Sequence, residues 1–242
     1  AEYIYRFFNK YLTNVSYHSF KVVVPIIRKV SLRMISPLKM EFKIYPLEPN
    51  LVTPPTTPRD GITAELVYVG KGSLQELDGK DVKGKILLMD FNSQLNWRLA
   101  AEMGAKAVIF IEPYETTITE SELKRVDQNL KFPRFYILRE DANKLLSIMR
   151  RESVTVNLVC KVVWDEVEGR NIIGYLKGKK SDRIIFFTAP YDSRSVVLSI
   201  APGSEEATGI ASLLEMIRVF AERIREGKKP EYTLGLSLIH IS

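Results

Sequence analysis

The stretch formed by residues 183–220 constrains the fold more than any other part of this 242-residue sequence. It begins with an apolar run, residues 184–187, which is typical of a strand buried on both faces of a parallel sheet. A loop containing Asp192 follows, and Ser204 is placed to cap a helix that carries Glu205 in its first turn. Apolar residues then recur at helical spacing: Ile210, Leu213, Leu214 and Ile217. This order predicts an α/β fold with the loop at the carboxyl end of a strand, where such folds bind ligands.

The stretch also resembles the start of the catalytic domain of the zinc exopeptidases that include aminopeptidase Y, bacterial leucyl aminopeptidases and glutamate carboxypeptidase II. In that family a buried strand ends in His-Tyr-Asp-Ser, and Gly-x-Asp-Asp-Asn-x-Ser-Gly opens the next helix. The corresponding residues here are Pro-Tyr-Asp-Ser at 190–193 and Gly-Ser-Glu-Glu-Ala-Thr-Gly at 203–209. The spacing of the pattern is kept, whereas the residues that carry its chemistry differ.

The differences fall on the residues that would hold zinc. In the family, the position of Pro190 holds a zinc-binding His, the position of Asp192 holds an Asp that orients this His, and the position of Glu205 holds an Asp that bridges two zinc ions. Zinc ligands are imidazole, thiolate or carboxylate groups, and Pro190 offers no such atom. Glu205 is one methylene longer than Asp, so it is a candidate metal ligand in a changed geometry. Asp192 is a vestigial candidate, because no His lies beside it. The alternatives are a turn-forming Asp192 and first-turn helix acids at Glu205 and Glu206.

The remaining residues of the family site are not found in the sequence. In the family a Glu-Glu pair, an Asp and a second His follow the next strand, which is predicted here at residues 232–241. No Gly-x-Glu-Glu pattern follows before Ser242. We therefore expect no competent zinc site and no cofactor in the sequence as given, and zinc as the cofactor if a further segment restores the site. Ala1 falls inside a predicted helix, and the remaining family residues do not appear before Ser242, so we expect truncation at both ends.

Composition excludes several other classes of function. The net charge of +6 arises from 35 basic and 29 acidic residues that are intermixed, and the basic runs at 177–180 and 228–229 fall in predicted turns. Nucleic-acid binding is therefore not expected. The single Cys160 excludes a disulfide framework, and His18 and His240 match no metal motif and are expected in strands. No apolar run approaches the roughly 18 residues of a membrane span.

The N-terminal part predicts a helix, several strands and a linker. Residues 2–12 carry an apolar stripe at helical spacing, and residues 15–26 alternate as in a strand. Residues 31–45 predict one or two more strands. Five prolines at 46–58 predict a stiff extended connector, after which a second domain begins near Ile62.

The second domain carries a second resemblance. Residues 85–89 and 106–111 predict strands, with a helix between them that is capped by Ser93 and stopped at Gly104. Asp-Val-Lys-Gly-Lys-Ile at 81–86 and the pattern Ala-(x3)-Gly-Ala-Lys-Ala-Val at 100–108 resemble the protease-associated (PA) domain. In that family the domain is inserted in or appended to peptidases, where it covers the substrate entrance or binds partners. The alternative is a plain α/β scaffold without a ligand.

The rest of the chain predicts a return to the first domain. The expected elements, in order, are a surface loop or short helix at 120–129, a strand at 135–138, a helix at 139–151, strands at 154–163 and 170–176, and a hairpin at 177–181. The predicted architecture is a discontinuous, partial zinc-exopeptidase-like α/β domain (1–45 and 165–242) with an inserted PA domain at 46–164. The last predicted strand, residues 232–241, resembles a strand from the centre of a sheet, so apolar surface would be exposed if it formed an open edge.

Two functions fit this sequence. The leading hypothesis is a non-catalytic relative of the exopeptidases, similar in this respect to the transferrin receptor, which binds a protein partner or assembles with itself outside the cell or at its surface. The alternative is an active zinc-dependent aminopeptidase or carboxypeptidase completed by a further segment. The location rests on the resemblance and on the glycosylation sequon that begins at Asn14. Scarce glutamine and cysteine beside abundant charged residues favour a thermophilic source.

Overall fold

The protein is described by a computed structural model that covers residues 1–193, 195–200 and 204–239, with the backbone alone for 204–206. The described residues form two compact units. The first unit comprises residues 1–24, 166–193 and 204–239, and the second unit comprises residues 25–165 and 195–200. No helix in the described ranges combines the length and apolarity needed to cross a membrane.

Helices and strands alternate over much of the chain. The helices are α1 (Glu2–Tyr11), α2 (Leu74–Leu77), α3 (Trp97–Glu102), α4 (Ile118–Glu122), α5 (Arg139–Met149) and α6 (Ser204–Arg225). The strands are β1 (Thr13–Ser36), β2 (Met40–Phe42), β3 (Ile44–Pro46), β4 (Ile62–Tyr68), β5 (Ile86–Asp90), β6 (Ala107–Ile111), β7 (Arg134–Ile137), β8 (Val154–Leu176), β9 (Lys180–Pro190) and β10 (Tyr232–Ile239). The predicted α/β class is confirmed.

The second unit is built on a mixed sheet with strand order β2-β1-β8-β4-β5-β6-β7-β3. Strands β4, β5, β6 and β7 are parallel, and β3 and β8 flank them in the antiparallel sense. Consecutive residues of β5 point to opposite faces, so Ile86 and Leu88 enter one buried cluster while Leu87 and Met89 enter the other. Strands covered on both faces read as continuous apolar runs, which is why the sequence predicts this part correctly.

The helix between β5 and β6 begins later than predicted. Its N-cap is Asn96 rather than Ser93, and its first residue is Trp97. Ser93 is buried, and its hydroxyl donates to the carbonyl of Phe91, so it shapes the turn that precedes the helix. Gly104 has φ +84° and ends the helix in the left-handed region, as predicted.

The proline-rich segment packs along the sheet of the second unit. Thr57 donates its backbone N–H to the carbonyl of Cys160, and the hydroxyl of Thr56 accepts from the backbone N–H of Val162. Residues 25–45 also group with the second unit, because β3 pairs with β7. The compact units therefore divide at residues 24–25 and 165–166, whereas the domain limits predicted from sequence are 1–45, 46–164 and 165–242.

In the first unit, β10 lies between two other strands of the sheet. Strand β10 pairs antiparallel with β8 and parallel with β9, so it lies between them. The hairpin predicted at 177–181 is therefore wrong, because β8 and β9 are joined by a short turn but do not pair. Gly178 lies in the turn between β8 and β9, close to the start of β10. A Cβ at this position would overlap the carbonyl of Tyr232, so glycine allows the turn to pass this close to β10.

Strand β9 is more exposed than its sequence predicts. Ile184, Ile185 and Phe186 are 47%, 46% and 49% exposed, whereas burial on both faces was expected for this run. Among the described residues β9 pairs with β10 alone, so its other edge carries no strand in this part of the chain. Its end does reach the core, because Ala189 is buried in the same hydrophobic cluster as Leu213 and Ile217 of α6 and Phe8 of α1.

Candidate active-site loop

The loop after β9 is fixed by the strand before it and the helix after it. Pro190 pairs with Ile239 in the register of β9 and β10, and the backbone N–H of Tyr191 donates to the carbonyl of Ile239 (3.0 Å). A Cβ built on Gly209 would lie 3.6 Å from the Cβ of Ala189, so α6 passes close to the strand end. The loop thus lies at the carboxyl end of a strand in parallel pairing, where α/β sheets place ligands.

The loop residues singled out by sequence are placed at this strand end. Pro190 is half-buried and closes β9, and it carries no donor atom in its side chain. Asp192 is half-buried two residues later, and its charge contributes to the raised pKa of Tyr191. No group of three or more His, Cys, Asp and Glu side chains within residues 1–193, 195–200 and 207–239 is arranged to hold a metal ion.

The other candidate ligands do not add to this loop. Glu205 lies in the first turn of α6, but its side chain, like that of Glu206, is outside the described residues, as are Gly203 and His240. His18 is an exposed residue of β1, as expected for a strand residue, and its ring centre lies 6.4 Å from that of Phe20. The role of Glu205 as a metal ligand stays a prediction.

A polar cluster beside the loop was missed by sequence reasoning. The Tyr191 hydroxyl donates to the carbonyl of Arg170 (2.5 Å), and the Arg170 guanidinium donates to Glu168 (2.7 Å). Glu168 also accepts from the hydroxyl of Ser19 (3.0 Å), and the guanidinium lies 5.7 Å from the ring centre of Tyr17. The cluster joins β1, β8 and the loop, and its Ser19 and Glu168 are 149 residues apart in the sequence. The only sequence signal for it was the pair of nearby charges in β8, Glu168 and Arg170.

The electrostatics of this cluster favour charged Glu168 and Arg170 and a neutral tyrosine. The hydrogen bonds from Arg170 and Ser19 lower the pKa of Glu168, and the bond to Glu168 raises the pKa of Arg170. Burial, followed by the charge of Asp192 and by Tyr17, raises the pKa of Tyr191. Tyr191 is therefore a hydrogen-bond donor at neutral pH, suited to holding the loop rather than to accepting a proton.

The described side chains do not fit a zinc ion in this loop. A zinc site needs several imidazole, thiolate or carboxylate donors converging within about 2.0–2.3 Å of one point. Around the end of β9 the structure supplies one carboxylate, Asp192, and an imino acid at Pro190. We therefore derive no catalytic step through a metal from these residues.

Two sequence families match separate parts of the chain. Residues 62–145 match the PA domain, and residues 171–239 match peptidase family M28. The first range contains α2 to α4 and most of α5 in the second unit, and the second range contains the loop after β9. No curated protein sequence matches the chain.

Solved structures of aminopeptidases share the fold. The aminopeptidase from Aneurinibacillus sp. strain AM-1 is 25% identical with a TM-score of 0.53, over 98% of this chain and 55% of its own. The zinc aminopeptidase from Bacillus subtilis is 23% identical with a TM-score of 0.64, over 98% and 53%. A peptidase M28 precursor from Shewanella amazonensis SB2B is 19% identical with a TM-score of 0.60, over 96% and 56%.

The chain thus spans about half the length of the solved structures it matches. Both predicted resemblances are confirmed, each at the residues that suggested it. The PA-domain match precedes the M28 match along the chain, and the predicted domain limits, 1–45, 46–164 and 165–242, stay a prediction. The chain therefore combines a segment similar to peptidase family M28 with a segment similar to the PA domain, on a fold that it shares with solved zinc aminopeptidases.

Proposed function

We propose that this peptidase-like chain belongs to a non-catalytic protein that acts by binding a protein partner or by self-assembly, at the cell surface or outside the cell. The observation that carries the proposal is Pro190 at the end of β9, the position of the zinc-binding His in the family pattern. A missing imidazole removes one ligand of the metal that would activate water. No described side chain replaces it around the loop.

The exposed run on β9 supports a binding role. Three consecutive apolar residues, Ile184, Ile185 and Phe186, are each nearly half exposed. Runs of this kind on an edge strand mark sites of pairing and protein contact. The location is supported by the sequon at Asn14, whose side chain is exposed at the start of β1.

One observation favours a second candidate, an active zinc-dependent aminopeptidase or carboxypeptidase. The M28 match extends across the altered loop, and Asp192 keeps its place in the pattern. In this case Glu205 would serve as a bridging ligand, and the other donors would come from outside the described residues. Zinc would then supply the activated water.

Zinc content per chain, measured by elemental analysis after exposure to excess zinc and dialysis, separates the two functions. The longest natural form of the protein should be used, together with its Pro190→His variant. We expect well under one zinc ion per chain and no peptide hydrolysis in the natural protein. One or two zinc ions per chain with peptide turnover would overturn the non-catalytic proposal. A Glu205→Gln variant would then show whether Glu205 binds the metal.

A further inference from the structure

An apolar groove of about 540 Å³ lies in the second unit. Its apolar lining consists of proline rings, one aliphatic and one aromatic side chain, namely Pro54, Pro58, Pro133, Ile62 and Phe132, with three threonines among them. Proline rings keep their shape, so little conformational entropy is lost when a ligand packs against them. The volume is in the range of small-ligand sites.

The polar groups of the groove are largely occupied by the protein itself. The hydroxyl of Thr53 donates to Asn129, and the hydroxyl of Thr56 donates to the carbonyl of Val162. The hydroxyl of Thr63 accepts from the amide of Asn157 (2.9 Å). What remains for a ligand is apolar surface.

Two lysines, Lys106 and Lys131, complete the lining. Both residues are exposed, and in the part of the chain that the structure describes neither has a carboxylate within ion-pair distance. The neighbouring Asp60 does not line the groove. An apolar surface beside two uncompensated positive charges is complementary to an apolar group that carries a negative charge.

We propose that this groove binds the C-terminus of a peptide, with the apolar last side chain against the proline rings and the α-carboxylate between Lys106 and Lys131. The groove is open to solvent, which suits a ligand whose apolar part is short and whose remainder is polar. A long acyl chain would leave most of its length exposed. The inference deepens the proposed function, and rests on it for the choice of a peptide as occupant.

The test is fluorescence polarisation with the full chain and a fluorescein-labelled peptide, Gly-Ser-Gly-Ser-Leu, that ends in a free carboxylate. Two matched peptides carry a C-terminal amide or a terminal Ser in place of Leu. We expect binding of the free acid at about millimolar concentration or below. Each altered peptide should bind about fivefold more weakly, as expected for loss of one charge interaction or one apolar contact.

Three single variants and one double variant of the protein complete the experiment. Lys106→Gln and Lys131→Gln should each weaken binding of the free acid about threefold, and together about tenfold, with no change for the amidated peptide. Lys161→Gln removes the same charge from an exposed position of the second unit that does not line the groove, and should bind as the natural protein does. Thermal unfolding midpoints verify that all four variants remain folded.

Several results would overturn the inference. These are equal affinity for acid and amide, loss of binding in Lys161→Gln to the same extent, absence of any binding up to millimolar protein, or binding of laurate in place of the peptide. Zinc content is measured separately. A protein that holds zinc and binds the peptide would overturn the non-catalytic proposal and support the peptide groove. A protein that holds no zinc and does not bind the peptide would support the non-catalytic proposal and overturn the peptide groove.

Discussion

Lys124 places an ammonium group inside the second unit, with its side chain 0% exposed. Its Nζ donates to the carbonyl of Gln94 (2.8 Å) and to Glu120 (3.1 Å). It also lies 5.3 Å and 5.5 Å from the ring centres of Phe91 and Phe110. Burial lowers its pKa, and Glu120 opposes that effect. The charge is tolerated because an ion pair, a carbonyl and two aromatic faces replace the water it loses.

We expect Lys124→Met to lower the free energy of unfolding by about 3 kcal/mol, because the Gln94 carbonyl loses this donor and Glu120 keeps only the backbone N–H of Gln94 in a largely buried place. Glu120→Gln should also destabilise. The double variant should lose less than the sum of the two, with a coupling of about 1–3 kcal/mol. Chemical denaturation of the four proteins measures this cycle. Additive losses would show that the pair contributes nothing.

Short elements of the second unit are fixed by local hydrogen bonds, and α2 shows this best. The hydroxyl of Ser73 accepts from the backbone N–H of Glu76 (3.3 Å), and Glu76 accepts from the backbone N–H of Ser73 (3.1 Å). Glu76 also accepts from the backbone N–H of Lys71 (3.1 Å), which ties the preceding turn to the helix. This is a capping box, and it fixes where the helix begins.

These bonds give α2 a defined response to acid. The hydrogen bonds from Ser73 and from the backbone lower the pKa of Glu76 below its usual 4.5. Because the folded state binds this proton less tightly, the stabilisation is present above pH 4.5 and is lost as the pH falls through the lower folded value. We expect Glu76→Gln to cost about 1 kcal/mol at pH 7 and nothing in strong acid.

Urea unfolding of Glu76→Gln at several pH values measures this dependence. Glu102→Gln is the matched control, because Glu102 is an exposed acid of the same unit. A cost for Glu76→Gln that is independent of pH would show that the carboxylate charge does not contribute.

Alanine is expected to have opposite effects at two glycines of the first unit, one in a turn and one in a helix. Gly178→Ala should lower the free energy of unfolding by about 1–3 kcal/mol, because the new Cβ would overlap the Tyr232 backbone. Gly209→Ala should raise it by about 0.5–1 kcal/mol, since the position is helical and the new Cβ makes an ordinary contact with Ala189. Thermal and chemical denaturation test both variants. A stabilised Gly178→Ala would contradict the close approach of the turn between β8 and β9 to the backbone of Tyr232.

For the molecule as a whole, the exposed run of β9 predicts association. We expect this chain to self-associate with rising concentration, and Ile185→Lys to reduce the effect, because a charge on an edge strand opposes strand pairing. Ile118→Lys is the matched control, since Ile118 is 68% exposed but lies in a short helix. Sedimentation velocity over a range of concentrations measures the change. A natural chain that stays monomeric throughout would show that β9 is not an assembly surface.

The sequence predicted well wherever the pattern is local. Continuous apolar runs identified β5 and β6, helical spacing identified α1 and α5, and the motifs at 81–86 and 190–193 identified both families. It also placed Pro190 and Asp192 at the end of a strand, next to a helix. The start of α3 at Asn96 was missed, because the Ser93 hydroxyl bonds to the carbonyl of Phe91 in the preceding turn and Asn96 makes no side-chain capping bond that the sequence could signal.

What the sequence by itself determined is therefore the order of elements, the two families and the replacement of His by Pro190. Tertiary structure alone decided that Lys124 is buried, that Ile184 and Ile185 are exposed, and that β10 separates β8 from β9. Backbone propensity and spacing act over a few residues, whereas burial depends on which distant segment packs beside a side chain. The neighbours of Lys124 and of β9 are brought together only when the sheets form.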